Sequence, residues 1–300
     1  TIFSQTPSIN IQPMFKIITV FIIGFCLHIG TLAAQEFNNS LLWKISGNGL
    51  TTPSYIFGTI HMIAQKDFVV QPEVDSVFNL AGKACFELKM DDISMLATYN
   101  KWLTLPDGKT LKDYCTETEF IQLKQYLQDS LQTDIQTIIN QKPFVIYQMQ
   151  STNFIKDEMA SFELYFVQNC IQKGKPIGGL EKLETQLAVF DEIPYEEQID
   201  WVVESINQSD SSYRYYDTLI HYYLKADLLN LSRYIKESDE EFKKYGPLML
   251  DNRNINWIPV IEEQIKLQST FIAVGAGHLV GEKGILQLLH NQGYVISPIQ

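Results

Sequence analysis

Two stretches of this 300-residue chain place a histidine three positions after a glycine that follows an apolar run. They are Tyr55-Ile56-Phe57-Gly58-Thr59-Ile60-His61 and Phe271-Ile272-Ala273-Val274-Gly275-Ala276-Gly277-His278. A neutral imidazole is a good ligand for a divalent transition metal and a good general base near neutral pH. One G-x-x-H would mean little, because glycine and histidine meet by chance at that spacing. For one such histidine the better reading is a local hydrogen bond. Of five histidines, however, two share this context more than two hundred residues apart, and that coincidence points to one site. Two carboxylates sit in comparable places. Glu87 lies in Ala84-Cys85-Phe86-Glu87-Leu88, and Glu181 closes Ile177-Gly178-Gly179-Leu180-Glu181. Glutamate is disfavoured in strands, so each faces solvent or has a task. Either could complete an open metal site with His61 and His278. The metal-free alternative makes one histidine a general base that a glutamate orients. Arg253, beside Asn254 at a helix start, is suited to neutralise a carboxylate or hold an oxyanion, and equally to be an exposed cation. His221 and His290 fall beside polar residues in helical patterns and read as surface. No P-loop, G-x-S-x-G, H-E-x-x-H or dinucleotide fingerprint is present.

The elements that must carry these residues follow from the apolar pattern. The runs at 55–60 and 271–275 read as buried strands ending in tight turns, and in open α/β sheets ligands bind at the carboxyl ends of strands. Leu42-Trp43-Lys44-Ile45 and the turn Gly47-Asn48-Gly49 predict a first strand that pairs with 55–60 as a hairpin. Val74, Val77, Phe78 and Ala81 recur at helical spacing before Gly82, and the strand of Glu87 follows. Strand–helix–strand is the unit of a parallel sheet. It returns at the chain's end as the strand before His278, a helix over 281–290 and a strand over 293–298. Between these ends, residues 91–250 read as mostly helical, with one long helical stretch over 196–243. The expectation is an α/β (α+β) fold in a single domain over 35–300. Its central mixed sheet comes from two related halves at the chain ends, with a large helical insertion between them.

Composition narrows the function classes. Hydrophobic residues at 45% and charged residues at 19% give a globular chain. A net charge of −12 excludes nucleic acid as the expected partner, since phosphate binding needs a basic face. Residues 1–34 read as an upstream extension and a secretory signal peptide. Lys16 supplies the charge, Ile17 to Ile29 the apolar stretch, and Thr31-Leu32-Ala33-Ala34 a cleavage site before Gln35. The expected location is therefore extracytoplasmic, periplasmic or secreted. Membrane contact is expected only through that segment kept as an uncleaved anchor. Cys85, Cys115 and Cys170 lack C-x-x-C spacing, which excludes a cysteine zinc knot. They read as small buried hydrophobes or as one disulfide and a thiol.

The segment 55–61, the strand bearing Glu87, Gly179-Leu180-Glu181 with Gln186, Arg253-Asn254 and Val274-Gly275-Ala276-Gly277-His278-Leu279 together resemble the TraB/GumN family over roughly 40–300. That family includes the Tiki metalloproteases. It is also similar to erythromycin-esterase-like and haem-binding ChaN-like proteins, which share an α/β fold with two related halves. The resemblance implies that His61 and His278 are the site histidines and that Glu87 is the essential acid. It also places Glu181 and Arg253 on motif positions, for substrate in both cases and for catalysis in that of Arg253. One position departs from the pattern: Lys182 follows Glu181 where threonine is common. The implied function is a metal-dependent hydrolase, a peptidase in the Tiki manner, with manganese, cobalt or zinc on His61, His278 and Glu87. A peptide or small-molecule substrate would be its partner. The competing readings are a non-catalytic haem or small-ligand binding protein and a metal-free, esterase-like hydrolase.

Overall fold

The computed structural model describes residues 39–300 apart from residue 239, within a compact unit, Phe37–Gln300. The expected signal peptide lies outside the described residues. The chain opens with the hairpin β1 (Leu42–Gly47) and β2 (Ser54–Thr59), paired antiparallel with Leu42 opposite Phe57. Its turn uses the left-handed conformations of Gly47, Asn48 and Gly49. A two-residue strand, β3 (Ile63–Ala64), comes next, then α1 (Pro72–Leu80) and β4 (Lys83–Leu88). The middle of the chain holds α2 (Ser94–Trp102), α3 (Glu117–Asp129), α4 (Phe144–Asn153), the short β5 (Met159–Ala160) and α5 (Phe162–Lys173). It continues through β6 (Ile177–Glu181), α6 (Leu183–Asp191), α7 (Tyr195–Asn207), α8 (Ser209–Leu224), α9 (Leu228–Ser238) and α10 (Glu240–Gly246). A single π-helical turn, Pro247–Asp251, leads into α11 (Asn252–Leu267). The last elements are β7 (Thr270–Gly275), α12 (Ile285–Asn291) and β8 (Tyr294–Ile299).

Six strands form one mixed sheet in the order β6-β4-β7-β2-β1-β8. The ladders β6–β4, β4–β7 and β7–β2 are parallel, whereas β1 runs antiparallel to both β2 and β8. The carboxyl ends of β2, β4, β6 and β7 therefore share one edge. The fold class is as the sequence leads one to expect, a mixed α/β sheet fed by both chain ends with helices between. Two details differ. β6, from the helical region, takes an edge of the sheet. β7, from the far end of the chain, separates β2 from β4, so the first strand–helix–strand unit skips a place. An all-buried strand needs an unbroken apolar run, and Phe271-Ile272-Ala273-Val274 supplies it.

Local signals account for helix ends. Thr116 and Glu119 form a capping box at the start of α3. Ser161 caps α5, which stops at Gly174 with φ 64°. The main core packs β2, β4 and β7 against Phe78, Phe166, Trp257 and Ile261, while Leu111, Leu123, Leu127, Ile146, Ile199 and Val202 form a second cluster within the helical part. Fully burying one such side chain stabilises the fold by about 1.5–3 kcal/mol. Among the described residues no helix is long and apolar enough to cross a membrane.

Candidate active site

The parallel register of β2 and β7 sets Gly58 opposite Val274 and Thr59 opposite Gly275, so both G-x-x-H turns leave the sheet side by side. They touch. A Cβ on Gly58 would lie 2.7 Å from Leu279 Cδ1 and 3.2 Å from the Ala276 Cα, which only glycine avoids. Gly275 lies at the centre of the cluster. A Cβ there would sit 3.4 Å from Glu87 Oε1 and 3.6 Å from both His61 Nε2 and His278 Cδ2. On the other side of β7, the β4 register puts Phe86 opposite Ala273 and Leu88 opposite Glu181 of β6. All five residues singled out in the sequence thus meet at one sheet edge, with Arg253 arriving from the first turn of α11.

Glu87 is buried and fully engaged. Its Oε1 accepts the Gly275 N–H at 2.9 Å; its Oε2 accepts Arg253 Nη2 at 2.7 Å and Gln186 Nε2 at 3.1 Å. Burial alone would raise its pKa, but His278, His61, Arg253 and the Gly275 N–H outweigh it and hold the carboxyl at about 2. Because His278 is itself neutral, the effect belongs chiefly to Arg253, His61 and the backbone N–H. Arg253 also clamps Glu181, through Nε at 3.0 Å and Nη2 at 2.5 Å, and donates from Nη1 to the Met249 carbonyl at 3.0 Å. Its guanidinium stacks 4.7 Å from the centre of the Trp257 ring. Burial raises the Glu181 carboxyl, and the charge of Glu87 adds to this against the hydrogen bonds and charge of Arg253. Glu181 reaches Arg253 but not the histidines' side of the cluster.

The histidines are held differently. His278 is buried, and its Nδ1 lies 2.6 Å from Asn254 Oδ1. Asn254 Nδ2 donates to the carbonyls of His278 and Lys283 at 3.3 and 2.9 Å, which fixes the amide's orientation. The Nδ1 of His278 therefore carries the proton, and its Nε2 lone pair faces Glu87 Oε1 at 3.7 Å and Arg253 Nη1 at 3.4 Å. Burial pushes the His278 pKa down to about 3, with the charges of Arg253 and His61 adding to the drop and that of Glu87 opposing it. His61 has a side chain 62% exposed, with Nδ1 3.1 Å from Glu163 Oε1 and Nε2 3.9 Å from Glu87 Oε1. Desolvation lowers its pKa, but the hydrogen bond to Glu163 and the charges of Glu87 and Glu163 win, and the net direction is upward. Glu163 and Asn254 are absent from the set the residue pattern selects as chemical. Asn254 adjoins Arg253 in sequence, whereas Glu163 is 102 residues from His61.

Among the described residues no three His, Cys, Asp or Glu side chains are gathered as a preformed metal cage. The donor chemistry nevertheless fits an open site of His61 Nε2, His278 Nε2 and Glu87 Oε1. Tetrahedral ligand atoms about 2.0–2.1 Å from one ion lie ~3.3–3.5 Å apart, so the edges of 3.9 and 3.7 Å would close by a few tenths of an ångström around an ion. Both Nδ1 atoms are engaged by oxygen acceptors, the arrangement that turns Nε2 toward a metal, and at His278 an ion would replace the 3.4 Å contact from Arg253 Nη1.

Comparison with known proteins gives the TraB/PrgY/gumN family pattern over residues 41–298. The chain is similar to Metalloprotease TIKI2 of Danio rerio, 20% identical over 88% of this chain and 62% of that protein. It is similar to Metalloprotease TIKI2 of Xenopus tropicalis, at 21% over 89% and 61% of the two chains. Metalloprotease TIKI1 of Homo sapiens is 21% identical over 86% of this chain and 62% of its own length. The chain thus spans about three fifths of the length of these curated relatives. No solved structure matches.

Proposed function

This chain belongs to the TraB/PrgY/GumN family, and from that premise we propose that it is a metal-dependent hydrolase cleaving peptide bonds outside the cytoplasm. The observation that carries the reading is the convergence of both G-x-x-H histidines on one carboxylate oxygen, at 3.9 and 3.7 Å. A divalent ion on His61, His278 and Glu87 would supply Lewis acidity to a carbonyl and lower the pKa of water. The rest is the work of the chain. Burial keeps His278 neutral, and Asn254 holds its Nδ1–H tautomer with the Nε2 lone pair directed inward. Arg253, Gln186 and the Gly275 N–H keep Glu87 ionised and in one orientation. Four of the five Arg253 N–H groups are spent on Glu87, Glu181 and Met249, and its Nη1 also lies near His278. Its role is therefore to fix the two glutamates more than to hold an oxyanion. Gly275 leaves open the space between the donor atoms, where a substrate carbonyl can approach.

The test is to strip the protein with chelator and reload it with manganese, cobalt or zinc. Peptide cleavage and thermal melting are then followed. A ligand confined to the native state adds about 2.7 kcal/mol at a hundredfold excess over Kd. The wild type gains that stability and activity, and His61→Ala and His278→Ala lose both. No shift with any ion overturns the metal reading. Hydrolysis that survives chelation would instead favour the metal-free general-base reading.

A further inference from the structure

We propose that Glu163 is the positioning residue of His61: it holds the Nδ1–H of that ring and so aims the Nε2 lone pair at the site. The inference rests on the hydrolase reading for its consequence and on the following geometry for its substance. Glu163 is 9% exposed, on the first turn of α5, and both of its carboxylate oxygens are occupied. Oε1 accepts from Thr59 Oγ1 at 2.6 Å and lies 3.1 Å from His61 Nδ1; Oε2 accepts from Ser161 Oγ at 3.0 Å. Two hydroxyls thus lock the carboxylate in one orientation, and one of them comes from the turn that carries His61.

A buried carboxylate is costly unless it is paired. Among the described residues no lysine or arginine lies in ion-pair range of Glu163, and its charge faces His61. Packing would be served as well by an amide, and at His278 an amide, Asn254, does the equivalent task. The use of a carboxylate at His61 and an amide at His278 makes His61 the more basic ligand of the pair.

The fold also sets the distance. Just after His61, β3 pairs antiparallel with β5, Ile63 opposite Ala160 and Ala64 opposite Met159, and the Gln65 N–H extends the ladder to the Glu158 carbonyl at 2.7 Å. β5 then runs directly into Ser161 and Glu163. This clasp ties the His61 turn to the start of α5, so the helical part of the chain delivers the carboxylate to the sheet's histidine.

The test compares wild type, Glu163→Gln and Glu163→Ala. Ring-nitrogen NMR of His61 in the metal-free protein, at a pH where the ring is neutral, reports the tautomer. Titration with manganese, cobalt and zinc chlorides reports affinity. The wild type shows the Nδ1–H tautomer. Glu163→Ala loses that preference and binds roughly 10–100-fold more weakly. Glu163→Gln keeps the tautomer through its amide oxygen and shows an intermediate loss. An alanine variant with the wild-type tautomer and affinity within about twofold overturns the proposal. If that variant does not fold, wild-type affinity in Glu163→Gln overturns it. If the wild type itself binds no ion, the metal reading fails, and the tautomer alone decides the role of Glu163.

Discussion

Arg253 is the residue on which the site's charge balance turns. It faces two buried glutamates, and removing it leaves Glu181 without its counter-ion and Glu87 with only His61. Arg253→Gln should destabilise the fold by about 3–5 kcal/mol at neutral pH, read from urea unfolding. The pH dependence has a definite sign. The Glu87 carboxyl titrates at about 2 in the folded protein, below its ordinary 4.5. It therefore stabilises the wild type fully above pH 4.5, and that contribution is lost as the pH falls toward 2. Arg253→Gln should shrink this acid-side loss, so that the two unfolding curves converge on acidification. Equal separation at pH 3 and pH 7 would contradict the assignment. At this scale much was legible: His61, Glu87, Glu181, Arg253 and His278 stand out by type and context. Glu163 does not, because a glutamate in a first helical turn is ordinary and its partner is 102 residues away.

Among the elements, the two glycine turns separate folding from chemistry. Gly275 has φ −52°, which alanine adopts freely, and its added Cβ would make near-ordinary contacts with Glu87 and both histidines. Gly275→Ala should fold, with a melting temperature within a few degrees of wild type, and fail to gain stability from any metal. Gly58→Ala meets Leu279 at 2.7 Å and should cost roughly 1–3 kcal/mol of stability as well. A single thermal-shift plate with and without metal distinguishes the two. The strands were the readable elements, since apolar runs ending in glycine have few other uses. The stretch over 196–243, which its residue pattern gives as one long helical stretch, is broken. Gln208 and Ala226 leave helical geometry, Ala226 with φ 52°, and Asp227 caps α9 by accepting the Asn230 N–H. Nothing in the type of Ala226 announces a left-handed residue. The cap at Asp227 is the sign that was present.

For the whole molecule, covalent cross-links play no part among the described residues. Cys85, Cys115 and Cys170 are free, which decides for small hydrophobes over a disulfide. Burial pushes their thiols up, to about 12 for Cys85 and Cys115 and about 11 for Cys170. In the folded protein Cys85 and Cys170 should resist alkylation at pH 8, and rapid labelling of either would contradict the packing. Packing holds the fold together, and the sheet depends on β7. With β7 in place, β4 and β2 are its two neighbours; without it, β6–β4 and β2–β1–β8 are separate ribbons. Tyr55 meets Phe271 across 216 positions of chain. A ribosome must therefore have emitted almost all of the chain before the two ribbons can join. Until then no intermediate holds both histidines together, and a nascent chain stalled or clipped before Thr270 is without the site.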